Sequence, residues 1–282
     1  KLLKKVIDNP HELIGVPSGF KTLDRITSGW QNGNLVLIAS RPACGKTSVA
    51  LSLAQNAALL HYPVAFFSLE MSEIELAQRL ISGATGYTNM EIREGRKVSL
   101  EKVVKDSGKI LNMPLIIDDT PQLSISELRS KSKKLILKYG VKLIVVDYLQ
   151  LMKGSGDSRE QEVGSISRGL KAIAKEFNIP IIALSQLNRD LEARADKRPM
   201  LSDLRESGSL EQDADIVAGL WNPYKYKIYS ATINGTEMQT QDVVVLDILK
   251  NRHGPTWSIP VFHNEAMTQF ADDKESLGVT LF

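Results

Sequence analysis

The chain has 282 residues, 43% hydrophobic and 24% charged, with a net charge of +2. That length suits one large α/β domain or two small ones, and the balance is that of an ordinary globular protein. No apolar run reaches bilayer length and no secretory signal is expected. The single cysteine excludes an internal disulfide framework and fits a reducing, cytoplasmic setting. No Cys/His cluster has zinc spacing, and the charge is too small for nucleic-acid binding driven by a global basic field.

In chain order, Leu2, Leu3, Val6 and Ile7 form one helical stripe, ended by Asn9-Pro10. Residues 1–14 are read as a linker helix that docks on this domain or on a neighbouring copy. The start without Met is expected to mark a domain cut from a longer chain. Strand-like and helical segments then alternate. Residues 35–39 read as a strand, 46–60 as a helix, 64–69 as a strand, and 72–81 as a helix with Ser72 as N-cap. Residues 115–117 form a strand, 124–138 an amphipathic helix, 143–146 a strand ending in Asp147, 160–177 a helix, and 181–184 a strand. Later strands are expected at 216–220, 243–249 and 258–262, the last two as a hairpin. Apolar strands alternating with helices predict an α/β fold with a mainly parallel central sheet flanked by helices. It should form one domain over 15–270, followed by a polar tail at 271–282.

Residues Arg41-Pro-Ala-Cys-Gly-Lys-Thr47 sit between a predicted strand and a predicted helix, the context of a phosphate loop. Backbone N–H groups and the helix N-terminus cradle phosphates in such loops. Arg41, Pro42, Ala43, Cys44, Gly45, Lys46, Thr47 and Ser48 are the expected nucleotide-binding set. Lys46 would reach the β- and γ-phosphate oxygens and Thr47 would ligate Mg²⁺. The usual first glycine of the motif is Ser40 here. Cys44 reads as a small loop-filling residue, with modification of its thiol by alkylating reagents as the alternative. Asp147, at the end of Leu-Ile-Val-Val-Asp, can hold Mg²⁺ through water or cap the next turn. Glu70 ends the strand after the phosphate-loop helix; it can polarise a water, or be a surface residue starting a helix. Gln186 is either a γ-phosphate sensor or a turn amide.

The ordered set Arg41–Thr47, Phe67-Ser-Leu-Glu-Met71, Val146-Asp-Tyr-Leu-Gln150, Ser185-Gln-Leu-Asn-Arg189, Asp203-Leu-Arg-Glu-Ser-Gly208 and Lys250-Asn-Arg-His-Gly-Pro255 resembles the C-terminal motor domain of DnaB-type replicative DNA helicases. The segment Gly15-Val-Pro-Ser-Gly-Phe-Lys-Thr-Leu-Asp24 resembles the opening of the same domain. The resemblance covers about residues 1 to 265. It implies a RecA-like P-loop ATPase that uses ATP and Mg²⁺, assembles as a homo-hexameric ring, and translocates on single-stranded DNA while unwinding duplex. It further implies Glu70 as catalytic base, Asp147 as the Mg²⁺-associated carboxylate and Gln186 as γ-phosphate sensor. Lys250 and Arg252 become the cations that a neighbouring subunit inserts into the ATP site. They alternate along a strand end, so both emerge on one face. The residues alone favour a solvated strand end, and the resemblance turns the pair into a finger. His253 stands where the family often has Asn. A primase and a helicase loader are the implied protein partners, and the cytoplasm the implied location.

Two loops are the implied DNA contacts: 153–159, ending at Arg159, and the long connection 188–208, with Arg205, Glu206 and Gly208. The second is charge-balanced, so its grip on DNA would come from backbone amides and a few cations repeated around a ring. Tyr224, Tyr226 and Tyr229 are expected in a surface hairpin region. Two rival readings stay open. One is a RecA-like ATPase of recombination or repair, the other a nucleotide-gated assembly module without unwinding.

Overall fold

The computed structural model describes residues 13–266, 268–275 and 277, with the side chains of residues 205–207 outside that description. The predicted helical stripe at residues 2–7 therefore lies outside the described residues. The elements, in chain order, are α1 (Lys21–Thr27), β1 (Leu35–Ser40), α2 (Lys46–Leu59), β2 (Val64–Ser68), α3 (Glu73–Thr85), α4 (Asn89–Glu94), α5 (Leu100–Asp106), α6 (Gly108–Leu111), β3 (Leu115–Asp118) and α7 (Ile125–Tyr139). Then follow β4 (Leu143–Asp147), α8 (Arg159–Phe177), β5 (Ile181–Gln186), α9 (Gly208–Asp213), β6 (Ile216–Trp221), β7 (Ser230–Ile233), β8 (Thr236–Gln239), β9 (Val243–Asn251), β10 (Trp257–Asn264) and β11 (Gln269–Ala271).

The main sheet has the order β11-β10-β9-β6-β1-β5-β4-β2-β3. From β3 to β6 neighbouring strands are parallel, and β9, β10 and β11 extend the sheet antiparallel. The continuous apolar runs are explained by burial on both faces. In β1, Val36 and Ile38 join a core with Val49, Leu53 and Ala57 of α2 and Leu76 of α3. Leu35, Leu37 and Ala39 point the other way, into a core with Leu128 of α7 and Ile166, Leu170 and Ile173 of α8. Period-two alternation thus serves two helical layers at once.

Helix limits follow their capping chemistry. Ser72, Thr88 and Ser124 each accept the N3 amide while the N3 glutamate accepts the cap amide, three complete capping boxes. Gly86 in the left-handed region stops α3, four residues later than its apolar spacing predicted. Segment 188–208, expected as one long connection, is more ordered than that. It holds 3₁₀ turns at Arg189–Ala193 and Leu201–Ser207. Both Arg194 Nη atoms bond Asp203 at 2.7 Å, and Arg198 forks onto Asp247 on β9 at 2.7 and 2.8 Å. The charge balance visible in sequence is thereby realised as ion pairs that brace the connection. Strand β11 runs to Ala271, and the backbone amide of Lys21 donates to Asp272 at 2.6 Å.

Candidate active site

The C-terminal ends of the parallel strands form one edge, where ligands of open α/β sheets bind. Strand register brings Ser40 beside Gln186 and Ser68 beside Asp147. The loop leaving β1 turns through left-handed backbone at Ala43 (φ 59°) and Gly45 (φ 89°) before α2 starts at Lys46. Alternation of this kind makes a concave nest of N–H groups at the helix N-terminus. Gly45 is required twice over, since a Cβ there would also meet the Phe270 ring at 2.9 Å. Ser40 lies in the extended strand with its Oγ donating to Arg41 O at 3.1 Å, so a glycine's conformational freedom is not needed there.

Above the nest lies a cleft of about 390 Å³ lined by Arg41 to Ala43, Gly45 to Ser48, Glu70, Met71, Arg79, Tyr148, Gln186, His263, Glu265 and Thr268. All the phosphate-loop positions singled out from sequence except Cys44 open onto it, together with Glu70 and Gln186. Cys44 is 2% exposed, with its sulfur 3.9 Å from both Tyr226 Oη and Lys225 Nζ. It fills the loop from behind rather than presenting a thiol to the cleft. Lys225 also bonds Pro42 O, so the connection after β6 clasps the phosphate loop. The tyrosine cluster therefore does more than decorate a hairpin: Tyr226 packs against the loop, while Tyr224 and Tyr229 meet edge to face.

Asp147 is wholly buried and neither carboxylate oxygen has a hydrogen-bond partner. Burial raises its carboxyl above the ordinary range, and the adjacent Glu70 charge adds to the rise. Thr47, Lys46 and Arg79 offset part of it, Thr47 without completing a hydrogen bond to either oxygen. Lys46 is pulled below its ordinary value by burial, against the charges of Asp147 and Glu70. Its Nζ sits 3.9 Å from the centre of the Tyr148 ring. The orphaned Asp147 oxygens beside Thr47 fit a hard divalent cation that takes oxygen ligands and completes its shell with water and phosphate. Among the described residues no cluster of three His, Cys, Asp or Glu could hold a metal unaided.

Several cleft residues escaped sequence reasoning. Arg79 on α3 donates to Ser48 Oγ at 3.2 Å, and burial lowers its guanidinium against Asp147, Glu75 and Glu70. Nothing in the spacing of α3 marks it. Gln150 donates to Ser185 Oγ at 2.9 Å and accepts from the Gln186 amide at 3.3 Å, tying the exits of β4 and β5 together. His263 stacks on Phe270 with ring centres 4.3 Å apart, and it reaches the cleft only because β10 and β11 fold back over α2.

A second cleft of about 580 Å³ shares Arg41, Tyr148 and Gln186 with the first and extends to Arg159, Asn188, Arg189 and Asp203. Arg159 opens α8 at its rim, paired with Glu162 and Gln150 O. Gly208 starts α9, exposed. The side chains of Arg205 and Glu206 lie outside the described residues. Arg41 is 7% exposed and spans both clefts, donating to Leu187 O and Glu192 at 2.8 Å each.

Lys250 and Arg252 are not in either cleft. Val217 pairs with Lys250 and Ile216 with Asn251, so the two cations lie where β6 begins. Strand β1 runs parallel to β6, and its loop is at the opposite end, about 17 Å away along five strand residues. Lys250 donates to Glu211 O at 2.5 Å and Arg252 to Gln212 O at 3.2 Å, both toward the end of α9.

A Gly-Lys-Thr nest between β1 and α2, with carboxylates at the same edge of a mainly parallel sheet, defines a phosphate-loop domain of the RecA-like kind. The chain belongs to the family described as the DnaB-like helicase C terminal domain, whose model matches residues 15–272. The replicative DNA helicase DnaB of Geobacillus stearothermophilus is 41% identical over 93% of this chain and 57% of its own length. The chain thus spans a little over half of that relative. A solved structure described as an ATPase domain superposes with a TM-score of 0.89 at 36% identity, covering 97% of this chain and 96% of the other. A DnaB-like replicative helicase whose interactions with primase are described gives 0.87 at 37%, over 96% of this chain and 64% of that one. Nucleotide use follows from membership of the family.

Proposed function

We propose that this domain is the ATP-hydrolysing motor of a replicative DNA helicase in the cytoplasm, acting as a homo-hexameric ring that translocates on single-stranded DNA. The observation that carries the reading is that the residues proposed for hydrolysis stand at two opposite edges of the fold. The phosphate nest, Lys46, Thr47, Glu70, Asp147 and Gln186 stand at one end of the sheet, and Lys250 and Arg252 at the other. A ring that stacks the second edge of one subunit on the first edge of the next joins them. In it, Lys46 binds the β- and γ-phosphate oxygens and Glu70 orients and polarises the attacking water. Gln186 registers the γ-phosphate at the end of β5, and Lys250 and Arg252 arrive from the neighbour. Thr47 and Asp147 hold Mg²⁺, which neutralises phosphate charge when bound.

Arg159 and the connection through Arg205, Glu206 and Gly208 are the proposed single-stranded DNA contacts. Arg41 couples them to the nucleotide, because it bonds the start of that connection from inside the phosphate loop. Primase is a proposed partner by kinship with the helicase solved with its primase interactions in view, and a loader is the other. Unwinding of a forked duplex with ATP, abolished by Lys46→Ala, is the expected outcome. DNA-stimulated hydrolysis without strand separation would favour a recombination or repair ATPase instead.

The Asp147 carboxyl gives a pH signature. Its value in the fold is raised above the ordinary 3.8, so protonation is favoured in the folded state. Its own contribution to stability is therefore present at low pH and lost as pH rises through the raised value. Mg²⁺ needs the ionised form, so the stabilisation that Mg²⁺ and an ATP analogue add has the opposite trend. Thermal melting with and without Mg²⁺ and analogue should show the increment shrinking as pH falls through that raised value. An Asp147→Asn chain should show a smaller increment that does not change across that pH range. An increment of wild-type size in that variant would remove Asp147 from the metal site.

A further inference from the structure

Of the two cations at the start of β6, Arg252 is held by a buried carboxylate that none of the site motifs contains. Asp215 lies just before β6 and is 2% exposed. One oxygen accepts from the Leu35 amide at 2.8 Å and from Lys171 Nζ of α8 at 2.5 Å. The other accepts from Arg252 Nη1 at 3.1 Å. Lys171 is itself fixed by Gly33 O at 2.8 Å. The backbone closes the same corner: the Asp215 amide donates to Leu35 O and the Arg252 amide to Asp215 O, both at 2.9 Å.

A carboxylate taken out of water survives only when its oxygens are matched by donors and opposite charge. Asp215 meets that condition with two cations of different kinds. Lys171 is 15% exposed and consumed locally, whereas Arg252 is 47% exposed. Arg252 spends one nitrogen on Asp215 and another on Gln212 O. A guanidinium carries five N–H donors in a rigid fork, so the remaining donors face outward with their orientation already set. An unanchored arginine would lose rotamer freedom each time it met a phosphate. An anchored one meets it preorganised.

We infer that Asp215 is the positioning residue for Arg252, fixing the guanidinium for use in the neighbouring subunit's site. The inference rests on the proposed trans role of Arg252. It also assigns Lys171 a task, that of neutralising the half of the carboxylate that Arg252 does not use. Because the same carboxylate holds the first residue of β1, the finger is anchored to the strand that delivers its own subunit's phosphate loop.

Asp215→Asn tests this in the assembled protein. The substitution keeps the size and one acceptor, but it withdraws the charge and can turn an amide N–H toward Arg252. Affinity for a non-hydrolysable ATP analogue should stay within about twofold, which also reports that the chain is folded, while turnover falls at least tenfold. Asp215→Asn combined with Arg252→Ala should be no slower than Arg252→Ala alone, since both remove one function. Mixing shows direction. Asp215→Asn chains should recover activity with Lys46→Ala chains, which donate an intact finger, and should not recover with Arg252→Ala chains. Losses that multiply in the double variant, or recovery with both partners, would overturn the inference. Should the Asn chain fail to bind analogue, Asp215→Glu, which keeps the charge but displaces it, takes the same tests with the same expectations. If Arg252→Ala itself turns over normally, the trans finger is wrong. If only Asp215→Asn and Asp215→Glu turn over normally, the finger stands and Asp215 has no part in it.

Discussion

Arg252→Ala should lower ATP turnover by about 10³-fold, equivalent to about 4 kcal/mol of transition-state stabilisation, while leaving nucleotide affinity within a few-fold. The size is that of an arginine supplied in trans to a transferring phosphoryl group. The selectivity follows from placement. Arg252 follows the last residue of β9 and touches Asp215 and Gln212, at the edge of the sheet where β1 begins. Nothing it bonds belongs to the phosphate loop, so truncation leaves the nest, Lys46 and Asp147 of its own chain in place. A residue that acts only in a neighbour's site has a further signature. Chains lacking Arg252 and chains carrying Lys46→Ala, each inactive alone, should regain part of the activity when mixed, because one has an intact loop and the other an intact finger. Turnover of mixed assemblies across a range of mixing ratios is the measurement. Mixtures that never exceed the sum of the separate chains would argue that hydrolysis is completed within one subunit.

What the sequence made legible divides along the length scale of each interaction. Strands β1, β2, β4 and β5 are legible because their apolar runs are buried on both faces, a pattern a local window detects, and half-buried β3 at the sheet edge is legible from its short apolar run. The N-cap Ser72 sits at the head of its helix for an equally local reason. Segment 86–111 folds into short helices α4 to α6, of which α4 and α5 bury no side chain, so no periodic stripe announces them. The β7–β8 hairpin is small, with Ile233 its one fully buried position, and its alternation is too brief to stand out. The site shows the same division. Lys46, Thr47, Glu70 and Asp147 end or follow strands, where a parallel sheet collects its chemistry. Arg79, His263 and Lys225 reach the loop by tertiary folding from α3, β10 and the connection after β6, and no local spacing encodes that. The connection 188–208 is as long as its sequence predicts, but its order is not legible there, because its bracing, Arg194 on Asp203 and Arg198 on Asp247, joins residues up to 49 positions apart.

Glu70→Gln separates chemistry from binding most cleanly, because it changes charge and almost nothing else. Glu70 is exposed at the cleft, two residues beyond the end of β2, where the Leu69 amide donates to Asp147 O at 2.7 Å. That hydrogen bond fixes the backbone at the neighbouring residue, so an isosteric amide should occupy the same place. A positioned base of this kind contributes about 10²- to 10⁴-fold. Turnover should fall by that factor while affinity for ATP is retained, leaving assemblies loaded with unhydrolysed nucleotide. The electrostatics point the same way. Lys46 is held in its charged form against burial by both Asp147 and Glu70, and the more buried Asp147 remains in the variant, so the lysine keeps a partner and the nest keeps its cation. Single-turnover hydrolysis measured beside equilibrium binding of ATP decides the matter. Normal turnover in the Gln chain would leave Glu70 a surface carboxylate and strengthen the reading of a nucleotide-gated assembly module. A chain that has lost affinity as well would mean that the Glu70 charge serves chiefly to keep Lys46 protonated, and the base for the attacking water would then have to be another group at this edge.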